Sequence, residues 1–153
     1  MAKIVSINVS GKKGTFKFPV NEAFLKKGHG IEGDAHAGEG HRQVSLLAQE
    51  SIDKMAAQGL KDLKPGKFAE NITTQGIALH TLAVGTRLLL GPVEAEVTQI
   101  GKACHRHCEI YRQAGKCIMP TEGIFVKVLR DGHVKAGDEI AVLRRPPTAI
   151  VLV

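Results

Sequence analysis

The part of the sequence richest in reactive side chains lies between Lys102 and Cys117. It holds all three cysteines of the chain, and four basic residues stand within three positions of Cys104: Lys102, His105, Arg106 and His107. A thiol reacts as its thiolate, and neighbouring cations lower its ordinary pKa of about 8.5. The pattern therefore indicates an activated thiol at Cys104, with a partly buried cysteine beside a solvated basic loop as the alternative.

The same stretch offers ligands for a structural metal. Cys104, Cys108 and Cys117, together with His105 and His107, include the soft donors that zinc and iron–sulfur clusters prefer. The cysteine spacing matches none of the common ligand patterns, and a histidine would have to serve as the fourth ligand. A structural metal is therefore the weaker of the two interpretations.

A glycine-rich loop from His29 to Arg42 is the second candidate. Its glycines let backbone amides approach a ligand closely, and His36, His41 and Arg42 carry donors suited to a phosphate. We interpret the loop as lacking both the G-x-G-x-x-G and the G-x-x-x-x-G-K-[ST] patterns, so we expect neither a dinucleotide site nor a nucleoside triphosphate site. The composition alone is more typical of a mobile surface loop than of a core segment.

The third candidate is the pair Glu70-Asn71, between Phe68 and the run Ile72-Thr73-Thr74. An asparagine amide can donate to an anion while the glutamate holds a neighbouring loop. Equally, both side chains could satisfy backbone groups of a turn. The sequence shows no Ser/His/Asp signature and no nucleophile elbow.

Composition narrows the classes of function. The 153 residues, 43% hydrophobic and 24% charged, suit one folded domain. The net charge of +6 favours an anionic ligand or partner. Aromatic residues make up only 4% and tryptophan is absent, so a base-stacking surface is poorly supplied and nucleic acid is a disfavoured partner.

The cysteines also bear on location. Their number is odd and they cluster within residues 104–117, unlike the dispersed, even set of a secreted disulfide-rich domain. No signal peptide is visible, and no apolar run reaches the ~20 residues of a membrane helix. We therefore expect a cytoplasmic protein without membrane contact.

Short strands dominate the hydrophobic pattern. One helix is indicated by Ala48, Ile52, Met55, Ala56 and Gly59 at helical spacing, with Gly59 as its C-terminal cap. Residues 104–114 are short, polar and compatible with a further helix. The predicted strands are Ala2–Val9, Thr15–Phe18, Gln43–Leu47, Arg87–Leu90, Val93–Ile100, Glu122–Leu129 and Glu139–Leu143, with turns at 130–133 and 136–138. The Gly91-Pro92 turn predicts that Arg87–Leu90 and Val93–Ile100 form a hairpin.

These elements predict a mostly β (α+β) fold. We expect a barrel-like, strongly curved mixed sheet with one main helix and short helical segments. Residues 1–143 would form the domain and residues 144–153 a C-terminal extension. Because that extension is apolar, it would pack on the domain or on a second subunit, which makes a homodimer worth testing.

Seven stretches, taken in order, carry a resemblance to a known family. They are Gly30–Asp34, His41–Leu46, Glu70–Thr73, Val84–Leu88, Val97–His105, Cys117–Phe125 and Gly137–Ile140. Together they resemble the MOSC domain, which is named after the C-terminal domain of molybdenum cofactor sulfurase. The likeness extends over roughly residues 3–143, so it is more specific than any single motif.

The resemblance implies a β-rich, barrel-like fold and a role in handling sulfur or the molybdenum cofactor. The functional cysteine of the family corresponds to Cys104, which would carry sulfur as a persulfide or meet the molybdenum. The cofactor, molybdopterin, would be a transient ligand. The residues expected around it are Asp34, His36, His41, Arg42, Glu70, Asn71 and Lys102.

The resemblance also implies a partner enzyme. The larger sulfurases contain a pyridoxal-phosphate cysteine desulfurase domain, for which this chain has no room and no site. A separate cysteine desulfurase would therefore load Cys104, a sulfurtransferase-type activity, and the acceptor would be a molybdoenzyme or a cofactor-synthesis protein. Cys108 or Cys117 could resolve the persulfide. Ala103 replaces the proline of many relatives, as in the short stand-alone branch.

Two further hypotheses are compatible with the resemblance. The chain could be a non-catalytic module that binds and delivers the cofactor, with Cys104 as a ligand of molybdenum. Alternatively, it could reduce N-hydroxylated compounds, as some family members do. That reaction would need a separate electron donor, because no flavin, haem or ferredoxin-type motif is visible.

Overall fold

The computed structural model describes residues 2–13, 15–61, 63–101 and 118–144. Helix α1 spans Gln49–Ala57, a 3-10 turn spans Leu79–Thr81, and the short helix α2 spans Met119–Glu122. The strands are β1 (Lys3–Val9), β2 (Phe18–Val20), β3 (Glu22–Lys26), β4 (Gly30–Ile31), β5 (Val44–Ala48), β6 (Ile72–Gln75), β7 (Arg87–Leu90), β8 (Val93–Ile100), β9 (Ile124–Val128), β10 (Gly132–Lys135) and β11 (Ile140–Arg144).

Eight strands form one curled sheet in the order β11-β7-β8-β9-β5-β6-β1-β2. The backbone of β1 also meets the turn before β11, near the opposite end of that order. The N–H of Ile4 donates to the carbonyl of Asp138 at 2.8 Å, and the N–H of Ile140 donates to the carbonyl of Ala2 at 2.9 Å. These bonds bring the two ends of the sheet together, so the sheet curves into a barrel.

One strand pair sets the position of the candidate site. All paired strands are antiparallel except β5 and β6, which run parallel and are connected through α1. Parallel strands begin at the same edge of a sheet. Residues 41–43, before β5, and residues 69–71, before β6, therefore meet at that edge.

The core lies on both sides of β5, in which all five residues are buried. Alternation places Val44, Leu46 and Ala48 in the barrel interior and Leu47 in a second cluster. That second cluster contains Ile52 and Met55 of α1, together with Phe68, Met119 and Phe125. The helix therefore covers the outer face of the sheet beside the candidate site.

A second, smaller sheet, in the order β10-β3-β4, packs against the barrel. Val134 of β10 and Leu25 of β3 belong to the barrel core. The prediction that this loop lacks the G-x-G-x-x-G pattern was wrong, because the glycines at positions 28, 30 and 33 have that spacing. Gly30 lies in β4, between Gly28 and Gly33, and the next element is the strand β5, so the pattern lacks the strand-to-helix context of a dinucleotide site.

The predicted fold class is confirmed: mostly β, a curved mixed sheet, one main helix and short helical segments. The predicted hairpin of Arg87–Leu90 and Val93–Ile100 has the observed bounds of β7 and β8. Helix α1 begins after Ala48, because Ala48 is the last residue of β5. Gly59 follows the helix with a φ of 98°, as expected of a left-handed position.

Two predicted elements were wrong, and three strands were not predicted. The strand expected at Thr15–Phe18 lies at Phe18–Val20, where Pro19 is tolerated because β2 is an edge strand. The turn expected at 130–133 overlaps β10, whose single buried residue gives no alternating signal. The strands that were not predicted are β3, β4 and β6. Residues 104–114 and the proposed extension beyond Arg144 lie outside the described residues.

Candidate functional site

The predicted thiol and the basic residues around it are not among the described residues. Lys102, Cys104, Cys108 and Cys117 all fall within 102–117, which we call the cysteine segment. The flanking residues that the structure does describe are Gly101 and Ile118.

The two flanks of the cysteine segment meet beside β9. The N–H of Gly101 donates to the carbonyl of Gly123 at 2.6 Å. Gly101 has a φ of 67°, and a Cβ at this position would collide with the carbonyl oxygen of Pro120. Only glycine fits so close to another backbone at this φ. The chain therefore enters and leaves the cysteine segment at one edge of the barrel.

A narrow cleft of about 20 Å³ opens at this edge. Its lining combines an apolar floor with a few polar side chains, an arrangement typical of small-ligand sites. The lining residues are His36, Arg42, Ser45, Phe68, Ala69, Asn71, Met119 and Phe125.

Arg42 connects the cleft to the flank of the cysteine segment. Its Nε donates to Oε1 of Gln99 at 3.0 Å, and Nε2 of Gln99 donates to the carbonyl of Gly101 at 2.8 Å. The guanidinium carbon lies 5.4 Å from the ring centroid of Phe125, within cation–π range. An exposed arginine is thus oriented on two sides, and its two Nη groups carry four further N–H donors for an anion.

A buried ion pair anchors the glycine-rich loop. Lys17 Nζ donates to Asp34 Oδ1 at 2.7 Å, and both side chains are completely buried. Lys17 Nζ also donates to Ser10 Oγ at 3.1 Å and lies 3.1 Å from Nδ1 of His36. The backbone N–H groups of Ser10 and His36 donate to the Asp34 carboxylate. Contrary to the surface-loop prediction, part of this loop is core.

The pKa of Asp34 lies below its ordinary value of 3.8. Burial alone would raise it, but the hydrogen bond and charge of Lys17 outweigh burial, and the Ser10 N–H and the Asn71 amide add to the lowering. Because an ammonium group only donates, Nδ1 of His36 is the acceptor and the ring proton sits on Nε2. His36, 31% exposed, thus lines the cleft in a fixed tautomer.

Glu70 holds the other wall of the cleft. Its carboxylate is completely buried and accepts the N–H of Gly66 at 3.0 Å, the N–H of Phe68 at 3.2 Å and the hydroxyl of Thr73 at 2.7 Å. Burial raises the pKa of Glu70, and these neutral donors offset the rise only in part. The loop that they fix places Ala69 at a φ of 64°, an uncommon conformation for a residue with a side chain.

Asn71 joins the starts of the two parallel strands. Its Oδ1 accepts the N–H of Ser45 at 2.9 Å and the hydroxyl of Ser45 at 3.2 Å, while its Nδ2 donates to the carbonyl of Asn8 at 3.2 Å. Asn8 in turn donates through Nδ2 to the carbonyl of Glu70 and to Thr73 Oγ1, both at 3.1 Å. This buried network fixes the back of the cleft.

The predicted site residues that the structure describes therefore lie in three places: in the cleft, behind it and outside it. His36, Arg42 and Asn71 line the cleft, and Asp34 and Glu70 lie buried behind it. His41 is exposed and is not among the lining residues; its backbone carbonyl accepts the hydroxyl of Thr98.

Sequence reasoning missed several residues that build the cleft: Lys17, Ser45, Phe68, Gln99, Met119 and Phe125. Lys17 lies just before β2, outside the strand, so no local pattern marks it as buried. The others are ordinary strand or loop residues whose role depends on the pairing of distant strands.

Two kinds of feature are absent from the part of the chain that the structure describes. That part contains no group of three or more His, Cys, Asp or Glu side chains arranged to hold a metal ion. Neither does it contain a helix long and apolar enough to cross a membrane.

Comparison with solved structures supports the architecture. The chain is similar to the YuaD protein from Bacillus subtilis, with 22% identity, a TM-score of 0.72, and coverage of 92% of this chain and 94% of that one. It is also similar to YiiM from Geobacillus stearothermophilus, with 20% identity, a TM-score of 0.74, and coverage of 94% and 76%. At these identities the likeness shows a shared fold.

A third similar structure is YiiM from Escherichia coli, with 19% identity, a TM-score of 0.68, and coverage of 95% of this chain and 71% of that one. A comparison with curated proteins finds no match. The profile of the MOSC domain matches residues 33–141, which is well over half of the chain and includes the cleft and the cysteine segment. The chain therefore belongs to the MOSC domain family, which is associated with molybdenum cofactor sulfurase-like proteins.

Proposed function

We propose that this protein is a sulfur carrier that holds sulfur as a persulfide on Cys104 and delivers it to an anionic acceptor in the cleft. A partner cysteine desulfurase is the donor, and the molybdenum cofactor or another metal–sulfur centre is the acceptor. The observation that carries the proposal is the cleft itself: Arg42 and His36 border it, and the flanks of the cysteine segment meet beside it.

Chain connectivity supports the assignment of Cys104 to this cleft. Gly101 accepts the Gln99 side chain that also binds Arg42. Cys104 follows Gly101 by three residues, a length that spans at most about 11 Å even when fully extended. The family resemblance independently selects the same cysteine as the functional one.

The loading of Cys104 needs no added oxidant or reductant. The Cys104 thiolate attacks the outer sulfur of the donor persulfide, R–S–SH, and forms a new sulfur–sulfur bond. The donor's own sulfur–sulfur bond breaks, R–S⁻ leaves with the electron pair, and Cys104–S–SH retains the proton. The later release of this sulfur as sulfide takes two electrons from a second thiol, such as Cys108 or Cys117, which attacks the inner sulfur, expels HS⁻ and forms a disulfide with Cys104. Cationic groups near the thiol favour its ionised form, and Arg42 is a described cation beside the approach.

The donor set of the cleft suits an anionic acceptor. Molybdopterin ends in a phosphate, and molybdenum carries anionic oxygens, so the Arg42 guanidinium offers matching hydrogen-bond donors. The described lining leaves a cavity of only about 20 Å³, far below the usual range of about 300–1,000 Å³ for small-molecule sites. That size favours contact with one end of a cofactor over storage of all of it.

Intact-mass measurement tests the proposal. The wild type, Cys104→Ser and the double variant Cys108→Ser/Cys117→Ser are incubated with a pyridoxal-phosphate cysteine desulfurase and cysteine. We expect the wild type and the double variant to gain one sulfur atom, and Cys104→Ser to gain none. Dithiothreitol removes persulfide sulfur but not the two oxygens of a sulfinic acid, which have nearly the same mass.

Full loading of Cys104→Ser would refute the assignment of the carrier. Cofactor binding by a wild type that acquires no sulfur would favour the delivery module with Cys104 as a molybdenum ligand. Metal analysis of the same preparation, purified without reductant, would detect stoichiometric zinc if the cysteine segment were a structural metal site.

A further inference from the structure

We infer that a second groove, adjacent to the cleft, is a docking surface for an acidic segment of a partner protein that also carries apolar side chains. The inference rests on the proposed function, because a sulfur carrier must bring a partner close to its thiol. The groove, here called the lysine–phenylalanine groove, is lined by Phe16, Lys17, Phe18, Pro19, Lys64, Pro65 and Lys67.

The groove presents an unusual apolar side chain. Phe18 is 68% exposed and stands on β2, the edge strand of the large sheet. Pro19 next to it is exposed as well. An exposed phenylalanine beside a concave surface is typical of protein contacts, in which aromatic side chains are enriched.

The charge of the groove has one sign. Its charged lining residues are Lys17, Lys64 and Lys67, and no described lining residue is acidic. Asp34 neutralises Lys17, which leaves Lys64 and Lys67 to set the potential of the groove. Further exposed lysines occur in the two connections that form it, at positions 12, 13 and 61. Carboxylates of a partner would meet complementary charge here.

The aromatic geometry favours a protein over a nucleic acid. Nζ of Lys67 lies 4.0 Å from the ring centroid of Phe16, so that ring already has a cation on its face. Phe18 is then the only strongly exposed aromatic ring that the structure describes. Single-stranded nucleic acids bind along series of stacked aromatic rings, which this groove does not supply.

The mode of docking follows from Pro19. A proline lacks the N–H that an added strand would need, so the edge at β2 is a poor template for strand addition. The partner would therefore be held by side chains: its apolar residues against Phe18 and its carboxylates on Lys64 and Lys67.

The position of the groove links it to the cleft. Residues 64–69 form a shared wall, since Lys64, Pro65 and Lys67 line the groove while Phe68 and Ala69 line the cleft. Glu70 fixes this wall from behind through two backbone N–H groups. A segment docked in the groove would therefore place the body of its protein beside the cleft.

Fluorescence anisotropy tests the inference with a defined probe, a labelled peptide in which glutamate alternates with leucine. We expect the full-length protein to bind it and Lys64→Glu/Lys67→Glu to bind about tenfold more weakly, because attraction becomes repulsion. Phe18→Ser should weaken binding about fivefold, by the loss of an apolar contact. The matched control is Lys26→Glu/Lys135→Glu, which reverses two exposed lysines on the small sheet and should leave binding unchanged.

Three outcomes would overturn the inference: no binding to the wild type, equal loss in the control, or equal binding of a lysine–leucine peptide. Tighter binding of an oligothymidine would assign the groove to nucleic acid instead. The proposed function fails separately. Cys104→Ser should bind the peptide as the wild type does, even though it accepts no sulfur. Lys64→Glu/Lys67→Glu should accept sulfur from inorganic polysulfide at the wild-type rate, but it should accept sulfur from a desulfurase more slowly.

Discussion

The cleft has two walls, and each is anchored by a buried carboxylate with different partners. Asp34, in the glycine-rich loop, is paired with the ammonium group of Lys17. Glu70, at the end of the loop 64–69, accepts two backbone N–H groups and a hydroxyl. Accordingly, the pKa of Asp34 is lowered and that of Glu70 is raised.

The two anchoring carboxylates are both buried, but the stability of each wall should depend differently on charge. The first wall depends on a cation, so removing Lys17 leaves an uncompensated charge in the core. The second depends on neutral dipoles, which also tolerate a protonated carboxyl group. The walls should therefore differ in their sensitivity to substitution and to pH.

The largest expected effect comes from Lys17→Met. The substitution keeps a side chain of similar length but removes the cation, and stranding one partner of a buried pair costs about 3–5 kcal/mol of unfolding free energy. Urea unfolding at neutral pH would measure the loss. Lys17→Met/Asp34→Asn should recover part of it, because the stranded carboxylate is gone. A single variant as stable as the wild type would show that the first wall does not depend on charge.

A smaller loss is expected from Glu70→Gln. The amide retains one acceptor oxygen but turns a donor toward either the Gly66 or the Phe68 N–H, so one buried bond is lost at a cost of about 1–3 kcal/mol. Glu22→Gln, an exposed residue on β3, is the matched control and should change stability little. Equal losses in the two variants would argue against the anchoring role of Glu70.

The contributions of Glu70 and Asp34 to the free energy of unfolding should change in opposite directions as pH rises. Folded Glu70 binds its proton more tightly than the unfolded chain does, so its contribution falls as pH rises from 4.5 through the folded pKa. Folded Asp34 binds its proton less tightly, so its contribution is complete above 3.8 and is lost as pH falls through the folded pKa. Urea unfolding across the acidic range should give flatter profiles for Glu70→Gln above 4.5 and for Asp34→Asn below 3.8; unchanged slopes would contradict both assignments.

The sequence was informative where signals are local. Alternation and the Gly91-Pro92 turn predicted β7 and β8, and helical spacing predicted α1. The cleft depends instead on distant pairings. Asn71 bonds Ser45 across 26 positions, and Lys17 meets Asp34 across 17. Such contacts follow from the parallel pairing of β5 with β6 and from the packing of the β1–β2 connection, which local patterns do not encode.

The prediction of a surface loop at His29–Arg42 was wrong in part, because the loop contains a buried charged residue. Its composition is polar, yet Asp34 is completely buried, because a lysine from another connection compensates it. Lysines are almost never fully buried unless they are paired, so no rule based on residue type would select Lys17. The family resemblance located Arg42, Glu70 and Asn71, but the structure was needed to show which line the cleft and which support it.

The smallest expected effect on stability comes from Arg42→Ala. Arg42 is exposed, and its contacts are one hydrogen bond to Gln99 and the ring of Phe125. Exposed interactions of this kind contribute about 0.2–1 kcal/mol. The urea midpoint should therefore hardly move, which makes the variant a clean probe of the cleft; a loss comparable to that of Glu70→Gln would mean that Arg42 is a third anchor.

The most direct test is the rate at which inorganic polysulfide loads Cys104 in Arg42→Ala. Intact mass with peptide mapping would measure this rate. If the cleft admits anionic sulfur donors to Cys104, Arg42→Ala should load about tenfold more slowly than the wild type, since a cation beside the approach is lost. The control Lys26→Ala should load at the wild-type rate. Equal rates in all three proteins, or sulfur found on Cys108 or Cys117 in place of Cys104, would contradict the account.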